Sequence, residues 1–242
     1  ALREAVESGD IKRAIVVGGG YIGLEVAENI SSLGVRVSII DMAKHMPPGF
    51  DEEFSEYIEN HLAGQGIMTF AETKLEAILG EEKVEKIQTN KRALKTDAVI
   101  LSVGIRASTG FLTDTGIELM PNKTIKVNEF LQTNIEDIYA VGDCATVINR
   151  LTKEPVWSPM GSTANIAGRV AAKNIAGANI AYQGVLGTAV AKLPELNIGR
   201  TGMTEVAAKQ AGFDAISVVT VVSDKAHYYP GSSNFIVKMI AD

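Results

Sequence analysis

The chain has 242 residues, of which 46% are apolar and 21% charged, a composition typical of a soluble globular protein with one large domain or two smaller ones. Its net charge of -6 argues against a nucleic-acid partner, and no apolar stretch is long enough to span a membrane. With a single cysteine and no secretory signal pattern, we expect a protein of the reducing cytoplasm without an internal disulfide.

The first strong pattern lies in residues 12–41, after a short helix predicted at residues 1–8. An apolar run rich in β-branched residues, 14–17, stops at three consecutive glycines, and a helical pattern begins at once. A second apolar run at residues 35–40 follows the helix. The segment is therefore predicted to fold as strand, tight turn, helix and strand.

The tight turn carries a G-x-G-x-x-G motif made by Gly18, Gly20 and Gly23. The first glycine allows a sharp turn, the second leaves room for a pyrophosphate, and the third lets the helix pack closely on the strand. A bound phosphate would face the free N–H groups and the positive dipole end of the helix. Asp41 ends the second strand about twenty residues later, which is the spacing of a βαβ dinucleotide site.

Three side chains near the turn are candidate cofactor contacts. A carboxylate at Asp41 would accept the ribose hydroxyls of adenosine but repel a 2′-phosphate, so NAD(H) is favoured over NADP(H); the alternative is a solvated carboxylate at a strand end. Tyr21 and Glu25 stand four residues apart and share one helix face beside the cofactor. Their alternative interpretations are packing for the tyrosine and a favourable dipole contact for the glutamate.

Residues 42–66 predict a proline-rich loop and then a helix with Asp51 as its N-cap. His45 and His61 have no partner at metal-ligand spacing, so we interpret both as surface residues and predict no metal site.

Beyond residue 66 the apolar period changes toward two, which predicts a small antiparallel meander returning to a buried strand. The predicted strands cover residues 67–70, 75–79, 84–89 and 98–101. Gly104 follows the last of them, and we expect this second glycine turn to face the same cofactor, with the nucleotide domain closing near Ser108.

The next region predicts an alternating strand from residue 124, a polar turn, and a strand at 138–141 that runs into Gly142 and Asp143. The aspartate is either a plain strand terminus or a group that holds a ligand hydroxyl. A helix of small residues follows, with Ser162 or Thr163 as its N-cap. Its small side chains permit close approach to another helix or to a flat ligand.

Residues 184–242 predict an antiparallel α+β unit whose last strand ends without a closing signal and would leave an open edge. The predicted elements are strands at 188–192, 196–201, 216–222 and 235–240 and one helix at 204–210.

Taken together, these segments resemble the flavin-dependent pyridine nucleotide-disulfide oxidoreductases, in particular the branch of coenzyme A-disulfide reductases and NADH oxidases. The resemblance is carried by the motifs IVVGGGYIGLE, SVGIRAS, TNIEDIYAVGDCA, GSTANIAGRVAAKNIAG, GVLGTAVAKLPELNIGRTGMTE and AHYYPG. It implies an α/β fold of the FAD/NAD(P)-binding type, with a Rossmann-like parallel sheet and an antiparallel meander, plus a partial α+β dimerisation domain. The implied domains are an NAD(H)-binding domain at 1–110, the C-terminal part of an FAD-binding domain at 111–183, and the truncated start of a dimerisation domain at 184–242.

The resemblance also implies roles for individual residues. Tyr21 matches the residue that gates the nicotinamide face of the flavin, and Glu25 matches the carboxylate beside the nicotinamide amide. The positions that match the lining of the NADH site are Gly18, Gly20, Ile22, Gly23, Asp41, Phe50 and Gly104. The positions that match the FAD site are Gly142, Asp143, whose counterpart bonds the ribityl chain, and Met160, Gly161 and Ser162 near the flavin ring. Tyr228 and Tyr229 match residues near the thiol substrate across a homodimer.

The chain departs from the family pattern in two ways. Ala107, Ser108 and Ile166 stand where the family usually has proline, asparagine and lysine. The N-terminal FAD glycine motif and the redox cysteine are also absent from this sequence, and we interpret Cys144 as structural because a nucleophilic thiol needs an exposed site that stabilises thiolate. We therefore expect a fragment of the family's usual chain.

The implied function is hydride transfer from NADH to FAD and on to a cysteine-based centre that acts on a small-molecule disulfide, persulfide, peroxide or oxygen. The AHYYPG motif favours a coenzyme A-linked disulfide. One alternative is an NADH oxidase or peroxidase parent. Another is a nucleotide-binding module that has no activity as isolated.

Overall fold

The computed structural model describes residues 2–242; Ala1, the first residue of the predicted N-terminal helix, lies outside the described residues. The chain forms two compact units that divide between Thr201 and Gly202. Within residues 2–242, the helices are all too short or too polar to cross a membrane.

The first unit combines a parallel sheet with several small antiparallel sheets. Its elements are, in chain order, α1 (Leu2–Glu7), β1 (Arg13–Val17), α2 (Tyr21–Ser31), β2 (Arg36–Ile40), α3 (Glu52–Gly64), β3 (Met68–Phe70), β4 (Leu75–Leu79), β5 (Lys86–Thr89), β6 (Ala93–Lys95), β7 (Ala98–Leu101), a 3-10 turn (Gly110–Leu112), β8 (Thr146–Ile148), β9 (Pro155–Trp157), α4 (Gly161–Ile175), β10 (Ala189–Leu193) and β11 (Leu196–Arg200).

The parallel sheet has the strand order β3-β2-β1-β7, with Val16 opposite Ile39 on one side and Ile100 on the other. Val16 and Ile39 face the core that α2 and α3 cover, whereas the neighbouring residues Ile15 and Ile40 face the meander. Burial on both faces explains why these strands are continuous apolar runs. The βαβ arrangement predicted for residues 12–41 is present.

The meander consists of β4, β5 and β6 in antiparallel order. The predicted strand at 67–70 does not join it: β3 pairs in parallel with β2, Ile39 opposite Thr69, because α3 forms a crossover between these strands. Strand β6 was not predicted, because its three residues between charged turns are too few to show an alternating pattern.

The second part of the unit is much less regular than predicted. The strands expected from residue 124 and at 138–141 are reduced to isolated bridges, such as those of Ile125 with Ala145 and Gln132 with Tyr139. The apolar residues still form a core with α4, but side chains take over part of the backbone hydrogen bonding. Asn174 is the main example, since its amide donates to the carbonyls of Phe130 and Ile180 and accepts from the Ile180 N–H.

Helix α4 begins at Gly161, two residues before the start that an N-cap at Ser162 would give. Met160 occupies the N-cap position, without a side-chain cap hydrogen bond, so neither Ser162 nor Thr163 is the N-cap. Thr163 is buried instead, and its hydroxyl lies 3.0 Å from that of Ser158. Further along, the small residues Ala167 and Ala171 pack in the core beneath the helix, which is the protein-packing interpretation of this stripe.

The hairpin of β10 and β11 belongs to the first unit. Ala191, Leu193 and Ile198 lie in the same core as Leu24 of α2 and Leu62 of α3. The three-domain division at residues 110 and 183 stays a prediction.

The second unit contains α5 (Glu205–Gln210), β12 (Ile216–Ser223) and β13 (Asn234–Ala241). Thr204 caps α5 by accepting a hydrogen bond from the Ala207 N–H, and the two strands pair antiparallel from Ile216 opposite Ala241. Parallel and antiparallel sheets in one chain confirm the predicted α/β fold class.

Candidate nucleotide site

The glycine turn is shaped by two close backbone approaches. Gly18 has φ +110°, and a Cβ there would lie 2.2 Å from the carbonyl oxygen of Ser102, just after β7. A Cβ at Gly23 would lie 1.9 Å from the carbonyl oxygen of Gly18, so only glycine lets α2 pack this closely on the turn. At Gly20, by contrast, a Cβ would have no neighbour within 4 Å. The turn is therefore closed at its ends and open at its centre, at the start of α2, where a pyrophosphate fits.

Asp41 points into this turn. Its Oδ2 accepts a hydrogen bond from the Gly19 N–H at 2.6 Å, and its Oδ1 accepts from the Ala43 N–H at 2.8 Å. The side chain is half-buried at the carboxyl end of β2, the edge of a parallel sheet where ligands bind. A carboxylate so close to the open centre of the turn can reach the ribose of a dinucleotide whose phosphates lie on the α2 N-terminus.

Met46 is a neighbour of the turn that sequence reasoning missed. Its fully buried side chain packs on Gly19, where an added Cβ would lie 2.2 Å from its sulfur. This contact explains the middle glycine of the GGG run, which the dinucleotide motif does not require. The uninterrupted run was the available signal, although nothing in it pointed to a methionine 27 residues further on.

Tyr21, the first residue of α2, is held from two sides. Its ring meets that of Phe50 edge-on, with centroids 6.3 Å apart, and its hydroxyl accepts a hydrogen bond of 3.1 Å from Nε of Arg200. Ile22 and Glu25 are exposed on the same helix, Ile22 with 63% of its surface accessible. The structure thus brings together Tyr21 and Phe50, which the resemblance had matched to the same cofactor site, whereas Arg200 had no sequence signal because it lies 179 residues away.

Gly104 follows β7 and is exposed with φ +89°. Because Ser102 of the same segment touches Gly18, the loop after β7 starts against the glycine turn. The second glycine turn therefore leaves the sheet at the edge that carries Asp41 and the first one.

The residues matched to an FAD site gather around the β8–β9 hairpin. Asp143 is exposed beside Gly142, and the Trp157 indole of β9 donates to the Asp143 carbonyl at 2.8 Å. Met160, Gly161 and Ser162 are exposed at the start of α4, three residues beyond that tryptophan. An exposed carboxylate and an uncovered helix start fit a ligand with hydroxyl groups and a polar ring.

Cys144 is half-buried, and its thiol donates to the Val141 carbonyl over 3.6 Å. The thiol is thereby engaged within the chain, which agrees with the structural interpretation.

Tyr228 and Tyr229 are exposed in the second unit, in the loop between β12 and β13. Their rings stand 5.4 Å apart, and His227 packs edge-on against Tyr228.

The two histidines are half-buried, and the structure gives each of them a partner. His45 Nε2 lies 3.0 Å from a Glu52 oxygen, and Glu56 completes a group whose potential ligand atoms lie within 4.8 Å of one another. The Lys44 ammonium forms an ion pair with the same Glu52 oxygen at 3.0 Å and so neutralises the charge of that carboxylate. His61 contacts the Pro194 carbonyl at the tip of the β10–β11 hairpin. Both histidines therefore have partners, which lie too far along the chain for a spacing rule to find.

This arrangement, a glycine turn at the carboxyl edge of a βαβ sheet with the Asp41 carboxylate hydrogen-bonded to the turn, defines a dinucleotide-binding α/β protein. Sequence comparison specifies the family: a model of the pyridine nucleotide-disulphide oxidoreductases matches residues 1–180, and the chain belongs to this family. The resemblance read from the motifs is confirmed.

Individual relatives agree with this assignment. The chain is 35% identical, over its whole length, to an NAD(P)H coenzyme A polysulfide/persulfide reductase of Pyrococcus horikoshii, of which it covers 54%. It is 36% identical over 99% of its length to an NADH oxidase of Methanocaldococcus jannaschii, again covering 54%. The structure of an NAD-dependent persulfide reductase from A. fulgidus superposes on the whole chain with a TM-score of 0.93 at 32% identity, the chain covering 45% of that protein. The chain thus spans about half the length of the curated relatives it matches.

Proposed function

We propose that the chain is the NADH-binding part of an FAD-dependent oxidoreductase that passes electrons to a cysteine-based centre, with a coenzyme A disulfide or persulfide as the acceptor. The observation that carries this proposal is the 2.6 Å hydrogen bond between the Gly19 N–H and Asp41 Oδ2. It brings the proposed pyrophosphate and ribose contacts together at one sheet edge, as binding of a single dinucleotide requires.

At the adenosine end, the Asp41 carboxylate would exchange its internal hydrogen bonds for those of the ribose hydroxyls. A 2′-phosphate at the same place would meet a like charge, which is the reason to propose NADH rather than NADPH. The phosphates would lie at Gly20, on the first N–H groups of α2.

At the nicotinamide end, we assign Tyr21 as the side chain that covers the nicotinamide ring and Glu25 as the acceptor for its amide. Ile22, Phe50 and Gly104 would complete the lining. Support comes from the exposure of Ile22 and Glu25 and from the fixed position of the Tyr21 ring. FAD, when bound, would supply the hydride acceptor, with Asp143 holding its hydroxyl chain and the start of α4 facing its ring.

The acceptor is proposed from the relatives and from the tail of the chain. The P. horikoshii relative is named for coenzyme A polysulfide and persulfide. Tyr228 and Tyr229 lie exposed and close together, where they could contact a thiol substrate in a homodimer. We propose a cytoplasmic location, because the lone cysteine suits a reducing compartment.

A second candidate is favoured by the M. jannaschii relative, which is named an NADH oxidase. To separate the two, NADH consumption by the full-length parent is measured with coenzyme A disulfide and with oxygen alone. A clear preference for the disulfide supports the first proposal, and equal rates overturn it.

The isolated chain is tested first for flavin and then for NADH. A colourless protein that binds NADH acts as a nucleotide-binding module, whereas flavin absorption in the visible spectrum would overturn that interpretation.

Asp41→Ala tests the adenosine end. We expect NADH affinity to fall at least about tenfold, since hydrogen bonds to a charged group contribute about 1.5–3 kcal/mol. The preference for NADH over NADPH should fall as well. Asp10→Ala, an exposed carboxylate before β1 at the opposite sheet edge, is the matched control. Unchanged NADH affinity in Asp41→Ala would contradict the assignment.

A further inference from the structure

Arg200 is placed against the proposed nicotinamide side chain from a distant part of the chain. Its Nε donates to the Tyr21 hydroxyl at 3.1 Å. Its guanidinium also lies against Gly49, where an added Cβ would approach the group to 3.1–3.2 Å. Since Gly49 has φ +89° as well, the loop before α3 leaves room for the guanidinium in a way that other residues would not.

The backbone that carries Arg200 is firmly supported. Arg200 ends β11, whose partner strand β10 contributes Leu193, a fully buried residue, to the core shared with α2 and α3. At the other end of the hairpin, His61 of α3 contacts the Pro194 carbonyl. The guanidinium is therefore presented from a braced hairpin rather than from a free loop.

The Tyr21 ring is fixed by two contacts of different kinds. Phe50 touches the ring edge-on and restricts its tilt, while the Arg200 hydrogen bond restricts where the hydroxyl points. A side chain that is ordered before the ligand arrives loses less conformational entropy on binding. An arginine keeps its charge throughout the physiological pH range and holds such a contact without titrating.

We propose that Arg200 is a positioning residue for the nicotinamide: it pre-orders the Tyr21 ring through the hydroxyl and so raises affinity for the nicotinamide end of NADH. The inference rests on the proposed function of Tyr21. The contact that the structure shows is the one between Arg200 and the Tyr21 hydroxyl, so the role proposed for Arg200 acts through Tyr21.

The test compares NADH with ADP-ribose, which shares the adenosine, phosphates and ribose but lacks the nicotinamide ring. Arg200→Gln should weaken NADH about fivefold, the effect expected from freeing one side chain, and leave ADP-ribose affinity unchanged. Tyr21→Phe, which removes only the hydroxyl, should reproduce the loss. The double variant should be no weaker than either single one, because both remove the same hydrogen bond.

The following results would decide against the proposal. If Arg200→Gln weakens ADP-ribose as much as NADH, or leaves NADH unchanged or tighter, the positioning role is overturned. Tyr21→Phe keeps the test decisive if Arg200→Gln fails to fold, since full NADH affinity without the hydroxyl also overturns it. A wild-type chain that binds neither ligand refutes the nucleotide site itself, and one that binds ADP-ribose and NADH equally refutes only the nicotinamide assignment.

Discussion

Two parts of the first unit, the region around the glycine turn and residues 111–188, pair the hydrogen-bonding groups of their backbones in different ways. Around the glycine turn, β1 pairs with a neighbour on each side, so regular ladders satisfy its backbone groups. Between residues 111 and 188, isolated bridges replace most ladders, and Asn174 alone takes up three backbone groups. The first part is therefore specified by repeating patterns, and the second by single side chains.

This difference predicts where single substitutions do most damage. In the regular part, the sensitive positions are those where backbones touch. In the irregular part, they are the polar side chains that replace a ladder.

The largest effect is expected for Gly18→Ala. The substitution places a Cβ against the Ser102 carbonyl oxygen and forces a non-glycine residue to φ +110°, which together should cost about 3 kcal/mol or more of unfolding free energy. Urea denaturation measures this loss. Gly20→Ala is the control, because nothing lies near its Cβ: its stability should change by less than about 1 kcal/mol, while NADH affinity falls. Equal stability losses would contradict the description of the turn.

Asn174→Ala tests the irregular part. Its amide is buried and serves Phe130 and Ile180, so we expect a loss of about 2 kcal/mol in the free energy of unfolding. Asn29→Ala on the exposed side of α2 is the matched control and should be neutral or slightly stabilising, since alanine is the better helix former. If both variants lose equal stability, the distinction between the two parts is wrong.

The smallest effect is expected for the ion pair between Arg13, at the start of β1, and Asp97, just before β7. The hydrogen bond from the Arg13 guanidinium, with the N–H groups of Lys12 and Arg13, holds the pKa of Asp97 below its ordinary value. Because the folded pKa is lowered, this stabilisation is complete above the unfolded pKa and is lost as pH falls toward the folded one.

Asp97→Asn removes the titration and serves as the comparison. The stability difference between wild type and variant should shrink as pH falls from about 5 toward 3, which denaturation at several pH values measures. A constant difference would show that the pair does not titrate as described.

The sequence predicted the regular part well, because burial on two faces leaves a readable pattern. The runs at 14–17 and 35–40 became β1 and β2 with changes of one residue at their starts. The irregular part was predicted less well: residues 138–141 form an apolar run like that of a buried strand but make only the Gln132–Tyr139 bridge. Local periodicity cannot report whether a pairing partner exists.

The same limit applies to the candidate site. The motif spacing predicted that Asp41 lies close to the three glycines, since all of them belong to one βαβ unit. Met46 and Arg200 escaped detection, because their contacts depend on how a loop and a distant hairpin pack. Which residues line the nucleotide site stays a prediction until binding is measured.

The β10–β11 hairpin has a consequence for any attempt to excise the nucleotide-binding part. A protein cut after residue 110, where the motifs place the end of the NAD(H) domain, would lose Ala191, Leu193 and Ile198 from beneath α2 and α3. Leu24 and Leu62 would then face water, at a cost of about 1.5–3 kcal/mol for each side chain fully exposed. The shortest piece of this chain that can fold by itself therefore has to include the β10–β11 hairpin, although the motifs assign that hairpin to the dimerisation domain.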